Sequence, residues 1–238
     1  MQVQVLSGAP KDKQSNASLR STALCLCGNR EALLYLSGSK FGSSLYIINP
    51  MNAREYLEIL HTAEKLKDTP RHCTTTNGRT ESVAEHSWRV SLMAMLLRRE
   101  FPDVDMDRVV DMCLIHDLGE CFTGDIPTFV KTDNDRSTED ILLDQWLDTL
   151  PADISKDLKA LYAEMEAQET KESKIFKALD KLEALIQHNE SPISTWSENE
   201  YELNKTYAFN TVEFDKWLTD LRQEILKDTL DKIEQQEK

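Results

Sequence analysis

The sequence has no apolar run long enough to cross a bilayer, and it begins without the basic, apolar and small-residue regions of a secretory signal. We therefore expect no membrane partner and a cytoplasmic location. The five cysteines are an odd number and mostly scattered, with only Cys25 and Cys27 close together. This pattern indicates reduced thiols better than a disulfide framework.

Basic residues are also scarce, because 28 lysines and arginines stand against 42 acidic residues and the formal net charge is −14. A surface of this sign repels phosphate polymers, so we expect no long nucleic acid as a partner. A small anionic substrate bound at a metal remains compatible with this charge. The 238 residues, of which 40% are hydrophobic, suffice for one catalytic domain with a sizeable core.

The first fifty residues differ in composition from the rest of the chain. They hold four of the seven glycines and, with five basic and two acidic residues, carry about +3, so that about −17 falls on the remainder. Apolar runs at 33–35 and 45–48, set around glycine and serine, predict a short β-hairpin within residues 31–49. We therefore expect an N-terminal extension at 1–50, either hairpin or disordered and without a catalytic role, followed by a domain at 51–238.

From Met51 onward, apolar residues recur every three or four positions, which is the pattern of amphipathic helices. The first predicted helix is followed by a second helix that begins at a capping box formed by Ser82 and Glu85. The third predicted helix ends near Gly119. Further helices are predicted at 138–149, 154–168, 171–189 and 211–235. The expected fold class is therefore all-α, a bundle of about seven helices.

Polar residues of the kinds that bind metals interrupt the apolar faces of these predicted helices. His86 lies one turn into the second predicted helix, His116 and Asp117 lie at the end of the third, and Asp180 lies among the apolar residues of the helix at 171–189. A carboxylate there is costly to bury unless it is paired, hydrogen-bonded or bound to a metal. Two imidazoles and two carboxylates suit one divalent cation, either Mn²⁺, Co²⁺, Fe²⁺, Mg²⁺ or Zn²⁺.

Each of these residues has a simpler explanation when it is taken alone. A single histidine is more often a core or surface residue than a ligand, and Asp180 could pair with Lys177 or face solvent beside Lys181. The arrangement of the residues weighs against these explanations, because they occur in order on separate predicted helices. The segments are RTESVAEHS at 79–87, HDLGECFTGDIP at 116–127 and ALDKLE at 178–183.

Taken together, the three segments resemble the HD-domain superfamily and, within it, the 5′-deoxynucleotidase branch. The resemblance covers roughly residues 53–210, which is most of the chain. It implies an all-α HD fold in which His86, His116, Asp117 and Asp180 are the metal ligands.

The same resemblance implies roles for four further residues. Arg71 matches the family arginine that binds the substrate phosphate, and its guanidinium fork suits paired oxygens. Glu120 matches an acidic residue implicated in catalysis, which could move a proton as a base or as an acid. Asp125 matches the acid that contacts the nucleotide sugar. At His72 some members carry a large aromatic residue that shapes the sugar pocket, so the preference for ribo- or deoxyribonucleotides stays open.

The expected function is metal-dependent hydrolysis of (deoxy)nucleoside 5′-monophosphates to nucleoside and inorganic phosphate. A two-metal phosphodiesterase or a di-iron oxygenase of the same superfamily is less favoured, because residues 118–179 contain no histidine that could supply further ligands. An alternative of another class is a catalytically silent HD module that binds nucleotide or a protein partner. The resemblance also suggests a homodimer.

Overall fold

The helical periodicity of the chain after Met51 is borne out in a computed structural model. This structure describes residues 51–126 and 131–236, together with the backbone of four strands upstream, at 3–5, 21–27, 30–39 and 42–48. The α-helices are α1 (Ala53–Ala63), α2 (Val83–Leu96), α3 (Met106–Ile115), α4 (Glu120–Thr123), α5 (Asp133–Leu147), α6 (Ala152–Ala167), α7 (Lys171–Glu190), α8 (Glu198–Thr206), α9 (Phe209–Val212) and α10 (Lys216–Gln236). Within the described residues, eight of these helices are nine or more residues long, which confirms the predicted all-α bundle.

Local capping explains where several helices begin. The Ser82 hydroxyl accepts a hydrogen bond from the backbone N–H of Glu85, and the Glu85 carboxylate accepts one from the backbone N–H of Ser82 at 2.9 Å. This is the predicted capping box, and it satisfies two backbone donors that the first turn of α2 would otherwise leave unpaired. The start of α2 is thereby fixed, and with it the position of His86 one turn later.

The hydrophobic core centres on α7, which contacts α2, α3, α6 and α10. Its buried side chains include Ile175, Leu179 and Leu182, and they belong to one cluster with Val90 of α2 and Met112 of α3. Burying an aliphatic side chain of this size stabilises the fold by about 1.5–3 kcal/mol. The packing therefore brings α2, α3 and α7 together, and these are the helices that carry or adjoin the predicted metal ligands.

The third helix ends earlier than Gly119 suggested. Helix α3 stops at Ile115, with His116 as its C-terminal cap, and α4 begins directly after Gly119. Gly119 has φ −58°, so it does not end a helix in the left-handed conformation that would favour glycine there. Close packing explains why glycine occupies position 119, because a Cβ there would lie 2.8 Å from Cγ of Glu139 on α5.

A two-stranded hairpin and one helix were also not predicted. Strand β5 (Pro70–Thr74) pairs antiparallel with β6 (Thr80–Ser82), and Gly78 in the connection has φ +74°. The Asn77-Gly78 pair is a hairpin signal that could have revealed this turn. Helix α8 was missed because Glu198–Thr206 is almost entirely polar and shows little helical periodicity. Both elements contribute to the cleft described below.

The N-terminal segment contains four antiparallel strands in the order β1 (Val3–Val5), β2 (Ser21–Cys27), β3 (Arg30–Ser39) and β4 (Gly42–Ile48). The predicted hairpin within residues 31–49 corresponds to β3 and β4, which pair in a register that places Leu36 opposite Leu45. Strands β1 and β2 were not predicted. The boundary between an extension and a separate domain at Met51 stays a prediction.

A chain that starts at Met51 is expected to unfold cooperatively, because the core around α7 draws on residues from α2 onward. Its melting midpoint should lie within about 2–4 °C of that of the full chain, the shift that follows a change of about 1 kcal/mol. Circular dichroism during heating measures this. As a control, a chain that ends at residue 215 loses the buried Leu218 and Ile225 of α10 and should not melt cooperatively. A non-cooperative melt of the chain starting at Met51 would show that the strands belong to the domain.

Candidate active site

The four predicted metal ligands meet in the centre of the bundle. His116 Nε2 lies 3.1 Å from Asp117 Oδ2, and His86 Nε2 lies 3.3 Å from Asp180 Oδ1. The two Nε2 atoms are 3.3 Å apart, and the remaining nitrogen–oxygen distances are 3.7 and 3.8 Å. The ligand atoms of His86, His116 and Asp117 all lie within 4.8 Å of one another, and Asp180 Oδ1 lies beside both imidazoles without belonging to that tighter group.

The hydrogen bonds on the far side of each imidazole set its tautomer. His116 Nδ1–H donates to the carbonyl oxygen of Cys113 at 2.9 Å, and His86 Nδ1–H donates to the carboxylate of Glu183. Each ring therefore has its Nε2 lone pair available for the centre of the site. Asp117 Oδ2, which also points there, is buried and has no hydrogen-bond partner among the described residues.

These groups fit a divalent cation, because acceptor atoms of His86, His116 and Asp117 lie close together and Asp180 adds a carboxylate oxygen beside the two imidazoles. The pKa of His86 also indicates that the site stabilises positive charge. Burial and Arg71 lower this pKa, but the carboxylates of Asp180 and Glu183 outweigh them and raise it to about 10. A proton between the ligands is the simplest substitute for a metal, so metal binding is expected to release protons.

The outer part of the site is built mainly from α2 and α7. Glu183 follows Asp180 by three residues on the same face of α7 and is fully buried. Its second oxygen lies 3.7 Å from Nε of Arg89, which also forms a bidentate pair with Glu190. Glu183 therefore orients His86 and is itself paired with Arg89.

Asp180 has two partners, one for each oxygen. Lys177 Nζ donates to Oδ2 at 2.8 Å, while Oδ1 faces the imidazole of His86. Burial alone would raise the pKa of Asp180, but Lys177 and the histidines hold it well below its usual range. Asp180 therefore pairs with Lys177 through one oxygen and lies beside His86 of the predicted ligand set through the other.

Arg71 extends from β5 toward the same centre. Its Nη1 lies 3.6 Å from Asp117 Oδ2, and its Nε lies 3.2 Å from Glu81 Oε2. Burial lowers the pKa of Arg71, but Asp117, Glu183 and Glu81 outweigh that effect and raise it. The guanidinium is therefore a permanent positive charge beside the metal ligands, where the oxygens of a bound phosphate would meet it.

Glu120 is the first residue of α4 and is buried, and its Oε2 has no hydrogen-bond partner in the described part of the chain. Burial, followed by the nearby Asp117, Asp125 and Glu139, raises the pKa of Glu120 to about 9. Its surroundings therefore favour the protonated carboxyl group over the carboxylate. Asp125 follows the turn at Gly124, and its carboxylate accepts a hydrogen bond from the backbone of His72.

A cleft of about 1100 Å³ opens onto this centre. Seven of the eight predicted site residues line it: Arg71, His72, His116, Asp117, Glu120, Asp125 and Asp180. His86 lies behind them and is fully buried. The volume exceeds the range of about 300–1000 Å³ that is typical of small-molecule sites, so a nucleotide can be accommodated.

Sequence reasoning missed the wall of the cleft that α8 provides. Glu200 and Asn204 are both buried and line the cleft, and His72 Nε2 lies 2.9 Å from Glu200 Oε1. The sequence did contain one signal for this helix. Ser197 and Glu200 have the spacing of a capping box, which the structure shows to be formed.

Comparison with known proteins agrees with this geometry. The family model for the HD domain matches residues 63–222. The 5′-deoxynucleotidase HDDC2 of Homo sapiens is 33% identical over 142 residues, which cover 58% of this chain and 69% of that protein. The 5′-deoxynucleotidase hdd1 of Schizosaccharomyces pombe is 29% identical over 148 residues, with 58% and 74% covered.

Solved structures show the same fold. A crystal structure described as a "predicted metal-dependent phosphohydrolase" from Magnetospirillum magnetotacticum MS-1 superimposes with a TM-score of 0.66 at 26% identity, covering 75% of this chain and 93% of that one. An HD-domain phosphohydrolase from Listeria innocua gives a TM-score of 0.57 at 22% identity, with 74% and 90% covered. The chain therefore belongs to the HD-domain family of phosphohydrolases, and it is similar there to the 5′-deoxynucleotidases.

Proposed function

We propose that this protein hydrolyses deoxynucleoside 5′-monophosphates to deoxynucleosides and inorganic phosphate. The observation that carries the proposal is the cluster of His86, His116 and Asp117, with Asp180 beside both imidazoles, next to the Arg71 guanidinium and Glu120 in one cleft. The relatives named 5′-deoxynucleotidases support both the substrate class and the preference for deoxyribose. Phosphate release from a panel of nucleoside and deoxynucleoside monophosphates, with and without EDTA, tests the proposal.

The cofactor in this proposal is one divalent cation held by His86, His116, Asp117 and Asp180. A cation there supplies Lewis acidity, both to lower the pKa of a water molecule and to polarise a phosphoryl oxygen. The mixed nitrogen and oxygen ligand set is compatible with Mn²⁺, Co²⁺, Fe²⁺, Mg²⁺ or Zn²⁺.

The chain's own residues supply the rest of the chemistry. Arg71 binds and orients the phosphate, since its guanidinium lies 3.6 Å from a metal-ligand oxygen of Asp117. Glu120 holds a proton at neutral pH, which favours donation to the departing 5′ oxygen over removal of a proton from water. Asp125 and His72, joined by a backbone hydrogen bond, lie along the cleft where the sugar would follow the phosphate.

The alternative of a catalytically silent module is less well supported. A module that only binds a nucleotide or a partner needs no buried proton donor beside a set of metal ligands. Keeping Glu120 protonated and Asp117 without a hydrogen-bond partner costs folding free energy, and such costs are typical of active sites. The hydrolase proposal gives both features a purpose.

Two finer properties belong to the same proposal. A cytoplasmic location is supported by the free thiols of Cys73, Cys113 and Cys121. A homodimer is supported by the partly exposed Phe214 and Trp217, although the nearby Leu218 and Ile225 of α10 are buried in the core. Light scattering tests the dimer against a monomer mass of 27.3 kDa.

None of the helices in the described part of the chain could span a membrane.

Substitution of a ligand should remove the metal. We expect Asp117→Ala to lose both bound metal and phosphatase activity, because only three ligands would remain. Glu183→Gln keeps all four ligands but weakens the orientation of His86, so its metal affinity should fall by about 10–100-fold. Metal analysis after dialysis measures both effects. The matched control is Asp111→Ala, an exposed aspartate on α3, which should retain its metal. Full metal occupancy and normal turnover in Asp117→Ala would refute the assignment.

Arg71→Ala and Glu120→Ala should differ in their kinetics, because Arg71 contacts a charge present in the bound substrate and Glu120 acts on a proton that moves during the reaction. Arg71→Ala should raise KM strongly. Glu120→Ala should lower kcat by about 10²–10⁴-fold with little change in KM. Steady-state rates on deoxynucleoside monophosphates measure both.

The control for this comparison is Arg54→Ala, which removes an exposed arginine of α1 and should change neither constant. Metal content should stay normal in all three variants, since none of the residues is a ligand. A near-normal kcat in Glu120→Ala would remove this residue from the mechanism. An unchanged KM in Arg71→Ala would leave the phosphate without its proposed partner.

A further inference from the structure

The wall of the cleft formed by α8 carries two buried polar side chains that the hydrolysis itself does not use. Glu200 and Asn204 are one helical turn apart, so they lie on the same face of α8. Both line the cleft, and both are almost completely buried. Both residues therefore belong to the same wall of the cleft.

Asn204 is the more informative of the two. Its side chain is 2% exposed, yet Nδ2 has no hydrogen-bond partner within residues 51–126 and 131–236. A buried amide donor that stays unpaired destabilises the fold, and such groups usually have a partner that the protein chain does not supply. Since Asn204 lines the cleft, the missing partner is expected to be a hydrogen-bond acceptor on a ligand.

The backbone at Asn204 is held firmly. Arg222 of α10 is fully buried, and it donates from Nη2 to the carbonyl oxygen of Asn204 at 2.9 Å and from Nε to that of Tyr207 at 2.8 Å. These bonds satisfy carbonyl groups at the end of α8 that lack a helical partner. The side-chain amide of Asn204 therefore projects from a backbone that is fixed by hydrogen bonds. This reduces the entropy lost on binding a ligand.

Glu200 places an acceptor beside this donor. Its Oε2 accepts hydrogen bonds from the backbone N–H and the hydroxyl of Ser197, while Oε1 lies 2.9 Å from His72 Nε2 and 3.5 Å from His188 Nε2. Burial would raise the pKa of Glu200, but Ser197 and the two histidines outweigh it and lower that pKa. The group is therefore a carboxylate that only accepts hydrogen bonds.

The position of His72 relates this pair to the substrate. His72 follows Arg71 in β5, so the chain runs from the phosphate-binding residue directly to the residue that contacts Glu200. A 5′-nucleotide whose phosphate lies at Arg71 and whose sugar lies along His72 and Asp125 extends its base toward α8. The donor and the acceptor on α8 lie at that end of the cleft.

We propose that Asn204, with Glu200 beside it, forms the subsite that binds the nucleobase, an inference that rests on the proposed function. The amide of Asn204 donates to an acceptor of the base, and Glu200 accepts from an adjacent N–H. Adenine, cytosine, guanine and thymine all present a neighbouring donor and acceptor on their pairing edges, so the subsite accepts each of them. A sugar phosphate without a base gains nothing from it.

The test compares ligands with and without a base. Calorimetry measures the binding of the four deoxynucleosides, and kinetics compare deoxynucleoside monophosphates with deoxyribose 5-phosphate. In Asn204→Ala, loss of one hydrogen bond should weaken deoxynucleoside binding about tenfold and lower kcat/KM for the nucleotides by a similar factor. Turnover of deoxyribose 5-phosphate should be unchanged. The control is Lys205→Ala, which removes the adjacent residue, paired with Glu202, and should alter neither.

Asn204→Asp has nearly the same size and replaces the donor with an acceptor, so it should reproduce the selective loss even if the alanine variant is unstable. Normal deoxynucleoside binding in both variants, or equal losses on both kinds of substrate, would overturn the base subsite. A wild-type protein that binds no deoxynucleoside would also overturn it. If the wild type binds deoxynucleosides through Asn204 but releases no phosphate, the subsite stands and the proposed hydrolysis fails.

Discussion

The clustering of electron-pair donors from His86, His116, Asp117 and Asp180 is the constraint on which the rest of the structure depends. Nitrogen and oxygen atoms of His86, His116, Asp117 and Asp180 lie 3.1–3.8 Å apart, and such a cluster is unstable unless positive charge enters it. Lys177 and Arg71 compensate part of the negative charge, but they lie next to the carboxylates of Asp180 and Asp117 and not between the ligand atoms. Three elements must therefore stay in register, and the tight core between α2, α3 and α7 provides the rigidity that holds them there.

Much of this centre can be predicted from the sequence, because the ligands conflict with their surroundings in the chain. Asp180 stands among Ile175, Leu179 and Leu182, and a carboxylate on such a face needs a partner. The capping box at Ser82 is equally local, since it depends on two residues three positions apart. Helix positions and metal ligands are thus encoded by short-range patterns, and the resemblance to the HD family joins them into one site.

The rest of the cleft depends on contacts that short patterns do not encode. Helix α8 is polar along most of its length, so it lacks the periodicity that reveals the other helices, and Glu200 and Asn204 could not be assigned to any site. The protonation of Glu120 likewise arises from burial and from carboxylates on other segments, including Glu139. Such properties require the three-dimensional arrangement of distant residues, and only the structure shows it.

The contact between Gly119 and α5 has an evolutionary consequence. Glu120 stands on the four-residue α4, whose entry leaves no room for a Cβ beside Glu139, and Asp117 lies in the turn directly before it. Substitutions on α5 that shift Glu139 would therefore act on Glu120 and the turn before it, whereas His86 and Asp180 lie on α2 and α7. A helix that carries none of the proposed site residues thus influences the position of the proposed acid, so a change in activity among related phosphohydrolases can originate on α5.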